Sequence, residues 1–99
     1  MEKLLGLLGL AYKAGAVTVG TNNVLAAIKS GKALLVITAE DVSHNTAKLL
    51  GDKSGYRNIR LIGLPVSMEQ LAHNFGKSST SSVAITNKDF VNAVLKHIP

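Results

Sequence analysis

Four short runs rich in β-branched residues, each set between stretches of helical periodicity, constrain this chain more than any other feature. Leu4, Leu8 and Tyr12 share one face of a helical pattern over residues 2–13, and Gly15 stands where a left-handed cap closes it. Residues 16–19 (Ala-Val-Thr-Val) read as a strand. A helix follows over residues 22–30 with Val24 and Ile28 inward and Gly31 beyond its end. Residues 34–38 form a continuous apolar run, as expected of a strand covered on both faces. A third helix is expected over about residues 43–55, and a third strand over 59–62, stopped by Gly63 and Pro65. Ser67 and Gln70 have capping-box spacing, and Met68, Leu71, Ala72 and Phe75 then recur at helical intervals up to Gly76. Residues 82–86 supply a fourth strand, and Asn87 caps a last helix carrying Phe90, Val91, Val94, Leu95 and Ile98. Five helices alternating with four strands predict an α/β fold with helices on both faces of a central sheet.

The 99 residues suit one domain over residues 1–99, and 46% hydrophobic content is that of a folded chain. With no cysteine, neither a disulfide framework nor a thiolate metal site is available, which fits a reducing compartment. The apolar run Leu4–Leu10 and the Ala14-Gly15-Ala16 triplet imitate a secretory leader. Glu2 spoils its basic start, however, and Lys13 crowds the cleavage region, so a cytoplasmic protein is expected. No run approaches the ~18 apolar residues of a membrane span. The formal net charge is +5, and within residues 1–32 Lys3, Lys13, Lys29 and Lys32 face only Glu2. Such a surplus suits a polyanionic partner as well as plain solubility.

Catalytic patterns are sparse. His44, His73 and His97 stand far apart, and no cysteine completes a zinc set, so no metal or cofactor is expected. Glu40-Asp41 follows the second strand, where α/β enzymes place catalytic groups, but no second pair accompanies it. Gly76-Lys77-Ser78 imitates the end of a phosphate loop in the wrong context, after a helix. The remaining candidate is Gly20-Thr21-Asn22-Asn23. Glycine frees the turn, Thr21 is placed to cap the helix, and the first-turn amides present an anion-friendly terminus. Asn22 and Asn23 bring amide groups that both donate and accept, and Lys29 and Lys32 lie further along. On spacing alone, ordinary helix capping accounts for the motif better than a binding role does. Only four aromatic residues are present, so base stacking along a strand is a poor route to nucleic acid. Structured RNA read by helix ends and loops fits better.

Residues 20–24 (Gly-Thr-Asn-Asn-Val), 35–42 (Leu-Val-Ile-Thr-Ala-Glu-Asp-Val), 71–77 (Leu-Ala-His-Asn-Phe-Gly-Lys) and 82–85 (Ser-Val-Ala-Ile) resemble, in order and spacing, the kink-turn-binding ribosomal protein family of archaea and eukaryotes. The opening residues 7–15 look like its bacterial branch. The resemblance covers essentially the whole chain. It implies a three-layer α/β/α sandwich with a mixed four-stranded sheet, and binding to RNA kink-turns, ribosomal or regulatory, with ribosomal proteins as neighbours. It implies further that Gly20 and Thr21 contact the RNA backbone and that Asn22 hydrogen-bonds guanine of the sheared G·A pairs. Glu40 would lie near the flipped-out nucleotide, and the loop Lys77, Ser78, Ser79, Thr80 and Ser81 would pack against it. Asn23 stands where many family members carry Glu, Ala26 where a phosphate-facing Lys is common, and the 77–81 loop is polar and one residue short. A scaffold for ribosome assembly or protein contacts is the competing expectation; in either case a monomer without catalytic residues is expected.

Overall fold

The computed structural model describes residues 1–98, with helices α1 (Glu2–Lys13), α2 (Thr21–Lys29), α3 (His44–Tyr56), α4 (Met68–His73) and α5 (Lys88–Leu95) alternating with strands β1 (Val17–Val19), β2 (Leu35–Thr38), β3 (Arg60–Gly63) and β4 (Ser82–Ile85). The sheet order is β1-β4-β2-β3, with β4 antiparallel to both neighbours and β2 parallel to β3. Strands β1, β2 and β3 therefore run one way and β4 returns between them, giving the mixed sheet that the resemblance implied. The carboxyl ends of three strands and the start of the fourth share one edge.

Side-chain alternation along the strands divides the interior in two. Leu35, Ile37, Val83 and Ile85 face one layer, packed with Leu4 and Leu8 of α1, Leu71 of α4 and Val94 of α5. Val36 and Ala84 face the other, packed with Val24 and Ile28 of α2 and Leu50 of α3. Both central strands are buried along their whole length, as the apolar run at residues 34–38 required, whereas β3 at the edge is half open. Phe75 sits in the first layer with its ring edge-on to Tyr12, centroids 5.2 Å apart.

Local signals set the helix ends. The Ser67–Gln70 capping box is complete, with hydrogen bonds of 3.0 and 2.8 Å, and Asn87 Oδ1 accepts the amides of Asp89 and Phe90. Ser43 caps α3 by accepting the Thr46 amide. Helix α4 is shorter than its apolar spacing suggests; it ends at His73, and Phe75 enters the core from the turn that follows. Among the described residues no helix is long and apolar enough to cross a membrane.

One interior group is unsatisfied. The Ser54 hydroxyl of α3 is buried without a hydrogen-bond partner among the described residues. Ser54→Ala removes that desolvated oxygen and places a better helix former in α3. We expect a gain of about 0.5–1 kcal/mol, measured as a higher urea midpoint at constant slope. A lowered midpoint would show that the hydroxyl is satisfied in solution.

Candidate functional site

The loops that leave the shared sheet edge enclose a cleft of about 490 Å³. Gly20 and Thr21 open α2 on one wall. Lys77, Ser79, Thr80 and Ser81 form a second, and Val42, Ser43, Thr46 and Met68 close it. Open α/β sheets commonly present ligand sites beyond their strand ends.

Gly20 starts the site. Its φ of 101° and ψ of 152° lie in a region that essentially only glycine occupies. This conformation turns the chain sharply out of β1, while the Gly20 amide donates to Ser82 and its carbonyl accepts from Val24. Gly20 is therefore the N-cap, and the expected capping role of Thr21 is corrected: Thr21 is the first helical residue, and no side chain caps α2. The Thr21 hydroxyl instead shares a 2.6 Å hydrogen bond with that of Ser81, joining the helix start to a loop 60 residues away.

The two asparagines separate. Asn23 Nδ2 donates to the Val19 carbonyl at 2.9 Å, so this side chain locks the strand-to-helix turn. Asn22 is exposed and makes no side-chain hydrogen bond among the described residues. Its amide is free for a ligand.

The 77–81 loop begins at Gly76, with φ of 68°, and is fixed from behind. The Thr80 amide donates to the Met68 carbonyl, Ser81 accepts from the Ala39 amide, and the Thr80 hydroxyl donates to Ser82. Thr80 is only 5% exposed, so it supports the loop, while Lys77, Ser78 and Ser79 are exposed. Glu40 is exposed just outside the cleft, and its amide donates to Val66. Asp41 accepts the Met68 amide at 2.7 Å and anchors the start of α4. Lys77 is the cation in the lining, with Glu40, Asp41 and Glu69 carried on the adjoining segments.

Lys29 and Lys32 are not brought to this cleft. Helix α2 runs away from it, and Lys29 lies at the other end against α3, beside Lys53, Tyr56 and Arg57. The cleft residues that the sequence patterns missed, Val42, Ser43, Thr46 and Met68, come from segments that converge only in three dimensions. Ser43, two residues after Asp41, and the Ser67–Gln70 capping box were the local signs of the helix starts that bring these residues to this edge.

The fold and cleft together define an α/β/α sandwich whose candidate binding surface is a glycine-capped helix start bonded to a distant serine-rich loop. The chain belongs to the ribosomal protein L7Ae/L30e/S12e/Gadd45 family, whose sequence profile matches residues 2–95. A Bacillus subtilis (strain 168) protein described as RNA-binding protein YlxQ is 36% identical over 89 residues, which are 90% of this chain and 88% of that one. An Enterococcus faecium protein of the same description is 40% identical over 58 residues, 59% of this chain and 56% of its own. Among solved structures, a Bacillus halodurans protein of unknown function superposes with a TM-score of 0.87 at 29% identity, covering 95% of this chain and 94% of that one. The Giardia lamblia 15.5kD RNA binding protein superposes at 0.76 with 23% identity, covering 96% and 80%, a likeness of fold. The family expected from the four sequence blocks, and the bacterial branch expected from residues 7–15, are those found.

Proposed function

We propose that this chain is a non-catalytic RNA-binding protein that reads structured, kink-turn-like RNA through the cleft. It acts as a single domain over residues 1–99, monomeric, cytoplasmic and associated with the ribosome and its proteins. The observation that carries the reading is the Thr21–Ser81 hydrogen bond, which ties the start of α2 to the 77–81 loop, with Asn22 exposed on the residue after Thr21. Family membership and the description of the bacterial relatives as RNA-binding proteins support it.

In this reading Gly20 and the α2 amides meet phosphate oxygens at a pre-shaped helix start. Asn22 supplies the donor and acceptor that a guanine edge in a sheared pair requires. Lys77 and the exposed Ser78 and Ser79 meet the extruded nucleotide, with Glu40 beside it. Structured RNA suits such a site, because helix ends and loops read shape and unstacked bases without a stacking platform.

Two measurements test it. A kink-turn RNA should bind at least tenfold more tightly than the same RNA with its G·A pairs replaced by Watson–Crick pairs. Equal affinities would remove kink-turn recognition. Asn22→Ala should weaken kink-turn binding about fivefold or more, the loss of a base-reading contact. Its thermal midpoint should stay near wild type, since the side chain holds nothing else in the fold. Unchanged affinity would remove Asn22 from the interface.

A further inference from the structure

The cleft lining carries a single cation, Lys77, little positive charge for an RNA site, and three others gather elsewhere. At the opposite end of the sheet, the last turns of α2 and α3 enclose a groove of about 310 Å³ lined by Leu25, Ile28, Lys29, Lys53, Tyr56 and Arg57. Three cations thus ring an apolar floor, and no carboxylate joins them among the described residues. Asp52, the neighbouring acid, is engaged 3.1 Å from Lys48. Tyr56 is 85% exposed, the most open of the large apolar side chains. The lining therefore combines backbone-neutralising cations with an open aromatic face and an apolar floor, the combination that binds single-stranded nucleic acid without sequence preference.

We propose that this α2–α3 groove is a second RNA surface, which takes a single-stranded segment flanking the structured element held in the cleft. Phosphates lie against Lys29, Lys53 and Arg57, and one base stacks on Tyr56 above Leu25 and Ile28. The separation fits one RNA molecule: Asn22 and Lys29 are seven residues apart on α2, about 10 Å at 1.5 Å per residue. Two or three nucleotides bridge that distance. The division of labour follows from the charges, since the cleft recognises shape with few cations and the groove supplies sequence-independent attraction. The proposal rests on RNA binding by the chain but not on kink-turn recognition.

The test uses the full chain and fluorescence anisotropy with three RNAs: a kink-turn hairpin, the same hairpin with a six-nucleotide single-stranded flank, and a twelve-nucleotide strand alone. The flank should tighten wild-type binding several-fold. The triple variant K29Q/K53Q/R57Q should lose that gain, lose binding to the strand, and retain hairpin affinity within about twofold. Its salt dependence on the flanked RNA should be shallower by about 2 in log–log slope, from three lost contacts at ~0.7 each. Tyr56→Ala, a smaller change at an exposed site, should cost about 5- to 100-fold on the strand. Asn22→Ala should show the reverse pattern, losing the hairpin and keeping the strand. A wild-type chain that gains nothing from the flank overturns the groove proposal, as does a triple variant equally weakened on hairpin and strand. Displacement of the strand by a short poly-glutamate peptide that binds more tightly overturns it in favour of an acidic protein partner. Failure to discriminate G·A from Watson–Crick hairpins, with groove-dependent strand binding intact, overturns the cleft reading alone.

Discussion

Replacing Gly20 with alanine is expected to cost about 2–3 kcal/mol of stability and to abolish high-affinity RNA binding. An added Cβ would meet nothing within 4 Å, so the penalty is not a clash. It is the backbone itself: φ of 101° with ψ of 152° is closed to residues carrying a Cβ. An alanine could relieve the strain only by rotating, which would break the amide bond to Ser82 or the carbonyl bond from Val24. Either break moves Thr21 away from Ser81 and opens the cleft. For a domain of this size the midpoint should fall by roughly 10–20 °C. Gly6 provides the control, being helical, exposed and equally free of neighbours. Gly6→Ala should raise stability by about 0.5–1 kcal/mol, because mid-helix glycine carries only an entropic cost. A Gly20→Ala protein with an unaltered midpoint would show that the β1–α2 turn adopts a different conformation in solution.

The fold was legible where its causes are local. The continuous apolar run at residues 34–38, the Ser67–Gln70 capping box and the Asn87 cap each act within a few residues, and each fell where its pattern placed it. The position of β4 between β1 and β2 depends on pairings such as Val19 with Val83, more than 60 residues apart, which no periodicity encodes. The site shows the same division. Glycine before a helix marked the turn, but Thr21 looked like a cap because the hydroxyl that engages it, Ser81, is remote in sequence. Asn22 and Asn23 are chemically identical and adjacent, yet one faces solvent and the other holds the Val19 carbonyl; only the turn geometry separates them. Lys29 and Lys32 were grouped with the helix start because they are near in sequence. A helix carries its two ends to opposite sides of a domain, so Lys29 lines the groove and Lys32 lies beyond the far end of α2.

Leu50→Ala should produce the largest loss, about 3–4 kcal/mol, and should release α3 before the rest of the fold. Among the described residues, α3 buries only Leu50 and Ser54 of its 13 residues. It also contains Gly51 and Gly55, each worth about 1 kcal/mol against helix, so its order derives from packing. Leu50 is fully buried against Val24, Ile28, Val36 and Ala84. Truncating it removes transfer energy and leaves a cavity, a combination that costs 2–5 kcal/mol in well-packed cores. Leu49, one residue earlier and 40% exposed, should tolerate alanine within about 0.5 kcal/mol. Hydrogen exchange at residues 44–56 should accelerate selectively, while amides of β2 and β4 keep the protection of the remaining layer. Uniform acceleration in α3 and the sheet would instead mean that α3 is part of one cooperative unit. The distinction bears on function, because α3 spans both surfaces. Ser43 and Thr46 at its start line the cleft, and Lys53 and Tyr56 at its end line the groove. A loosened α3 should therefore weaken binding of the structured RNA and of its flank together, a double loss that no substitution confined to either surface can produce.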